Sequence, residues 1–173
     1  MDQKVLLLDA QTGFYKVRRY PVGRFFGPVD LGLHLSSRTQ SINIGVGLLA
    51  GSIFPGSNRL FVTGFSPCWR GFYVSSMGGA GLVFDNLGIN SVSIIGKCPV
   101  PSVLFLDAAT GFYRIRRYPV GRFFGPVDLG LHISAHHQSL NIGVGLLAGS
   151  IFPGSNRLFV TGFSPCWRGF FVS

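Results

Sequence analysis

Short apolar runs separated by glycine- and proline-containing turns recur along this 173-residue chain, and most have the length of strands. Val5–Asp9 reads as an apolar strand, closed by a Gln11-Thr12-Gly13 turn. Phe14–Tyr20 alternates aromatic, basic and aliphatic residues, which predicts a strand with one wet face, ended by Pro21-Val22-Gly23. Gly27-Pro28 opens Val29–Ser36, a short helix with proline near its first turn, where a missing N–H costs nothing. Ile42–Leu49 and Leu60–Phe65 predict buried strands on either side of a Ser52–Asn58 loop, and Gly71–Ser75 a further strand. Gly78–Leu87 reads as a helix despite its glycines, with Gly88 in the place of a C-terminal cap. Val92–Ile95 and Val103–Leu106 follow as strands. The predicted fold class is α+β: mainly β-sheet with a few short helices.

That pattern is written twice. Val5–Ser75 (A) and Val103–Ser173 (A′) align without a gap and agree at 61 of 71 positions. Most differences are mild, such as Lys16 against Arg114, Val17 against Ile115 and Leu35 against Ile133. The sharpest is Ser37-Arg38-Thr39 against Ala135-His136-His137. Residues 76–102 (B) are not repeated, so the layout is A–B–A′, with predicted units 1–102 and 103–173. Two copies are too few for a solenoid and suggest a pseudo-twofold arrangement, with B serving one copy. A second B would be expected after Ser173. Without it, A′ must pair its strand edges with A or borrow from another chain, which predicts a homo-oligomer or a missing partner chain.

Composition changes the picture in two ways. Hydrophobic residues at 47% exclude a disordered chain, and seventeen Phe with 25 Gly fit strands joined by tight turns. A formal charge of +9, from 15 Lys and Arg against six acids, points to an anionic partner such as a phosphorylated cofactor, nucleic acid or acidic lipid. The longest apolar stretch, Ile42 to Phe54, is broken by Asn43, glycines and Ser52 and is too short to span a bilayer. The first residues lack a secretory pattern, so a cytoplasmic location with no membrane partner is expected. Cys68, Cys98 and Cys166 make neither a disulfide framework nor a Cys-x-x-Cys pair, and read as small buried or half-buried thiols.

The chemistry concentrates around one loop. Phe54-Pro55-Gly56-Ser57-Asn58-Arg59 combines small residues, which let a ligand approach the backbone, with a guanidinium fork suited to phosphate. Seventeen residues later Ser76-Met77-Gly78-Gly79 opens the predicted helix of B, where N–H groups and a hydroxyl can seat an anion. Taken in order, Val5-Leu-Leu-Leu-Asp-x-x-Thr-Gly13, Gly45-x-Gly-Leu-Leu-Ala-Gly-Ser-x-x-Pro-Gly-Ser-Asn-Arg59, Ser66-Pro67, Met77-Gly-Gly79, Leu87-Gly88, Val92–Gly96-Lys97 and Pro101–Asp107 resemble the N-terminal domain of the aldehyde ferredoxin oxidoreductases. The resemblance implies a pseudo-symmetric β-sheet platform for a tungsten or molybdenum bis-pterin cofactor. It implies that Arg59 contacts a pterin phosphate and that Ser76, Gly78 and Gly79 lie along the same cofactor, with Arg157 the repeat equivalent of Arg59. Ser76 stands where family members often carry Asn, which shortens the reach of that contact. The iron–sulfur cysteine cluster and the substrate-enclosing helical domains of the family are not in this sequence. The expected role is therefore a cofactor platform that is not catalytic alone, with no iron–sulfur cluster in this chain.

Two other classes compete. A duplicated sheet with open strand edges would suit a structural or assembly subunit that self-associates. The basic strand Tyr15-Lys16-Val17-Arg18-Arg19-Tyr20 with Arg24, repeated as Tyr113 to Arg122, could stack bases and hold phosphates, although no nucleic-acid recognition motif accompanies it. His34, His132, His136 and His137 lack metal-ligand spacing, and Asp9, Asp30 and Asp85 are too scattered for paired-carboxylate catalysis. Asp30 fits the first turn of a helix as a dipole partner.

Overall fold

The computed structural model describes residues 2–66, 70–77, 81, 87–99, 102–107, 112–117, 131–132, 140–144, 158–163 and 170–172. The chain divides into two compact units, Met1–Pro99 and Val100–Ser173.

Unit 1 is one mixed sheet with one helix across a face. Its strands are β1 (Asp2–Asp9), β2 (Tyr15–Pro21), β3 (Ile42–Val46), β4 (Leu60–Phe65), β5 (Phe72–Met77) and β6 (Ser91–Ile95), and helix α1 is Pro28–Thr39. They lie in the order β2-β1-β6-β3-β4-β5. Segment B thus supplies a central strand: β6 runs parallel to β1, Val5 opposite Ser91, and antiparallel to β3, Ile44 opposite Val92. All other pairings are antiparallel.

The two-residue period sorts side chains onto the two faces. One face carries Leu6, Leu8, Ile44, Val46, Leu60, Val62 and Val92, all buried. The other receives α1, whose Leu31 and Leu35 pack with Val5 and Phe25 and, at the margin, Leu7 and Tyr20. Asn43, an apparent interruption in an apolar run, lies beneath the helix. Its amide donates to the Gly32 carbonyl at 3.2 Å and to Ser36 Oγ at 2.7 Å, and its own oxygen accepts from Ser41 Oγ at 3.0 Å. A buried amide so bonded costs little. Gly32 permits the close crossing, because any Cβ there would run into Thr63 Oγ1 of β4.

Helix α1 starts where the Gly27-Pro28 signal put it. The Asp30 carboxylate reaches back to accept from the amides of Phe26 at 2.6 Å and Gly27 at 2.9 Å, satisfying donors that a helix start leaves open. The helix runs three residues beyond the expected Ser36 and ends with Gln40 at φ 49°, whose N–H bonds the Ser36 carbonyl.

Two strand expectations need correction. The basic strand has no dry face: β2 is the outermost strand, and Tyr15 to Arg19 are exposed on both sides. The strand expected to reach Leu49 stops at Val46, because turns begin at Gly47, with the Ala50 N–H bonding the Gly47 carbonyl, and Leu49 is exposed. Most of the helix expected over Gly78–Leu87 lies outside the described residues; Gly81 is helical, and Gly88 has φ +67°, as its predicted capping role requires.

Unit 2 contains β7 (Ser102–Asp107), β8 (Phe112–Arg117), β9 (Leu140–Val144), β10 (Leu158–Phe163) and β11 (Phe170–Val172). Its registers match those of unit 1 at a constant offset of 98 residues. Leu106 faces Tyr113 as Leu8 faces Tyr15, Leu158 faces Val144 as Leu60 faces Val46, and Thr161 faces Val172 as Thr63 faces Val74. Among the described residues these strands form two separate ladders, β7-β8 and β11-β10-β9, with no counterpart of β6 between them.

Candidate functional site

The Gly47–Arg59 segment leaves β3 and returns as β4 through a chain of tight turns. Ser52 N–H bonds the Leu49 carbonyl at 3.0 Å, and Ser57 N–H the Phe54 carbonyl at 3.2 Å. Gly51 and Gly56 have φ of 80° and 77°, a region that favours glycine. Asn58 organises the loop from both of its acceptors. Its side-chain oxygen takes the Gly51 N–H at 2.7 Å, and its backbone carbonyl takes the Gly81 N–H at 3.0 Å.

This places a guanidinium and a hydroxyl together at one corner of the sheet. Antiparallel pairing sets Phe61 opposite Ser76, so Arg59 and Ser76 are near neighbours on adjacent strands. Arg59 donates from Nη1 to Ser76 Oγ at 3.4 Å. Both residues are exposed, and Arg59 makes no ion pair among the described residues. A long hydrogen bond to a hydroxyl leaves most of the five guanidinium donors available to an incoming anion.

Of the expected site residues, the structure therefore brings Arg59 and Ser76 together. Gly78, Gly79 and Arg157 lie outside the described residues. Residues flanking Gly78 and Gly79 on both sides meet the same corner, Ser76 at Arg59 and Gly81 at Asn58. Gly81 escaped the sequence reading as a functional position. A Cβ on it would lie 2.5 Å from the Asn58 carbonyl oxygen and 2.6 Å from its carbon, so only glycine allows this approach. The available signal was a glycine inside a helical pattern, which costs helix stability unless backbone passes close by.

Among the other candidates, Asp9 and His34 have structural surroundings. Asp9 closes its turn by accepting from Gln11 N–H and Thr12 Oγ1, both at 2.9 Å; the Thr12 bond first, then Gln11, holds its pKa below the usual carboxylate value. His34 lies against the Phe25 ring, with centroids 4.7 Å apart. Desolvation, then the charges of Arg38 and Arg24, hold its pKa below the ordinary histidine value. No cluster of three metal-ligating side chains occurs among the described residues. Cys98 is half-buried and outside any disulfide, while Cys68, Cys166, His136 and His137 lie outside the described residues. No helix among them is long and apolar enough to cross a membrane.

The family model of the aldehyde ferredoxin oxidoreductase N-terminal domain matches residues 20–119, more than half of the chain, running through B into the first strands of A′. An uncharacterized protein of Methanocaldococcus jannaschii is 52% identical over 52 residues, 30% of this chain and 8% of its own. The glyceraldehyde-3-phosphate:ferredoxin oxidoreductase of Pyrococcus furiosus is 47% identical over 62 residues, 36% of this chain and 10% of its own. Among solved structures, the active-site complex BamBC of benzoyl coenzyme A reductase, in complex with 1,5-dienoyl-CoA, shares the fold. The TM-score is 0.72 at 19% identity, over 84% of this chain and 25% of that one. The chain thus spans a tenth or less of the curated relatives it matches.

Proposed function

The chain belongs to the aldehyde ferredoxin oxidoreductase family through that family's N-terminal domain, and on that premise we propose that unit 1 is a platform for the phosphorylated part of a tungsten or molybdenum bis-pterin cofactor. The observation that carries this reading is the Arg59–Ser76 corner: an exposed guanidinium with no acid beside it among the described residues, next to a hydroxyl at 3.4 Å. The donor set suits a phosphate, which takes charge-assisted bonds from arginine and further bonds from hydroxyl and amide groups. Asn58 fixes the loop that carries Arg59 to Gly81, so the guanidinium does not have to be ordered from a free loop when an anion arrives. When bound, such a cofactor supplies the redox-active metal. Arg59 and Ser76 would hold and orient its phosphate end.

Activity on an aldehyde is proposed only for an assembly. Leu49, Ile53 and Phe54 stand exposed, Ile53 at 97%, and give the loop that leads to Arg59 an apolar rim. Such a rim suits coverage by a partner chain that provides the substrate cavity and the electron relay. The same rim supports the second reading, a subunit that self-associates; a metal-free protein sedimenting as a stable dimer would favour it.

The direct test is metal analysis with pterin fluorescence on protein purified without oxygen. Arg59→Ala should lower pterin retention about tenfold, the loss of one charge-assisted contact, and Arg157→Ala much less. Equal losses, or none, would remove the assignment.

A further inference from the structure

A second site lies at the other end of the sheet. Helix α1 crosses β3, β4 and β6 and leaves the strip between itself and β2 uncovered. There a cleft of about 460 Å³ opens, within the range of small-molecule sites. Leu7, Phe14, Leu35 and Ile95 give it apolar walls, and Lys16, Arg18 and Arg38 surround it with cations. Register fixes its distance from Arg59: Ile95 pairs with Asp9, and Ile94 with Ile42 at the start of β3, whereas the Arg59 loop leaves from the far end of β3.

Three observations distinguish this cleft from a solvated groove. Lys16, Arg18 and Arg38 form no ion pair among the described residues, and the carboxylate that also lines the cleft, Asp9, is taken up by Gln11 N–H and Thr12 Oγ1, so positive charge is in excess there. Ser93 lines the cleft, is 1% exposed, and its buried hydroxyl has no hydrogen-bond partner among the described residues, an arrangement that is costly unless something else bonds it. The third comes from the repeat. Eleven cleft residues fall within it, and five differ between copies: Leu7, Lys16, Leu35, Arg38 and Thr39 become Phe105, Arg114, Ile133, His136 and His137. Only five of the other 60 repeat positions differ. Half of the divergence between two otherwise near-identical copies thus falls on one small surface.

We propose that this cleft binds a small organic anion with an apolar body, the anionic group meeting Lys16, Arg18 and Arg38 and the body resting on Leu7, Leu35 and Ile95. The site belongs to unit 1 alone, because Ser93 and Ile95 come from β6, which A′ does not repeat. It is independent of the pterin reading.

The probe pair is 8-anilinonaphthalene-1-sulfonate and N-phenyl-1-naphthylamine, the same rings with and without the anion, titrated by calorimetry and fluorescence against the full chain. The sulfonate is expected to bind saturably at one per chain, at least tenfold more tightly than the neutral amine. The variant Leu7→Phe/Arg38→His/Thr39→His gives unit 1 the side chains that the other copy carries at these positions, and should weaken sulfonate binding tenfold or more. Lys16→Gln, at an exposed position, should weaken it several-fold without altering the thermal transition. Equal affinity for the two probes, or unchanged sulfonate binding in both variants, would overturn the proposal.

Discussion

The two copies share 61 of 71 residues, yet one belongs to a continuous six-stranded sheet and the other forms two separate ladders among the described residues. Every hairpin register is the same in both. The difference is β6, a five-residue strand from outside the repeat that joins β1 to β3. Hairpins need only neighbouring sequence and its turns, whereas closing the sheet requires a segment about 86 residues away from β1. The repeat therefore specifies half-sheets, and B makes them one.

The sharpest way to break the contrast is to disable β6. Val92→Pro removes a ladder donor from a strand paired on both sides and should cost roughly 3 kcal/mol. Hydrogen exchange in β1 and β3 should then rise toward the level of β7 and β9; unchanged protection would refute the bridging role. A paired substitution is next. A Cβ at Gly45 would lie 2.8 Å from the Asn90 carbonyl and 2.9 Å from Ser91, so Gly45→Ala should destabilise unit 1 by about 1–3 kcal/mol. Gly143→Ala, at the equivalent position of a strand whose sheet lacks β6, should cost less. Equal effects in a denaturant series would mean that the two sites are alike. The smallest effect concerns pH. His34 has a lowered pKa in the fold, so below about pH 6.5 the unfolded chain takes up protons that the folded chain resists, and unit 1 loses stability as pH falls. Arg38→Gln should flatten that slope in thermal melts across pH 5 to 7.

What could be read in advance follows the same division. The strands of A and the Gly27-Pro28 helix start were legible, because alternation and a proline act locally. The α+β class and the family resemblance also stand. The place of β6 was not legible, since its Ser-Val-Ser-Ile-Ile run says nothing about which two strands will flank it. The double exposure of β2 follows from that order, which makes it an edge. Gly81 was hidden because its reason is the backbone of Asn58 passing beneath it. The cleft was hidden because its walls come from β1, β2, α1 and β6.

The late position of β6 has a consequence for synthesis. Unit 1 cannot close until residue 95 has emerged from the ribosome, so β1 and β3 wait with open edges while most of the unit is already made. Only six residues separate it from β7, a near-replica of β1, too few for the crossover that a parallel pair needs. The shortness of that connection directs β6 to the strand that was made first.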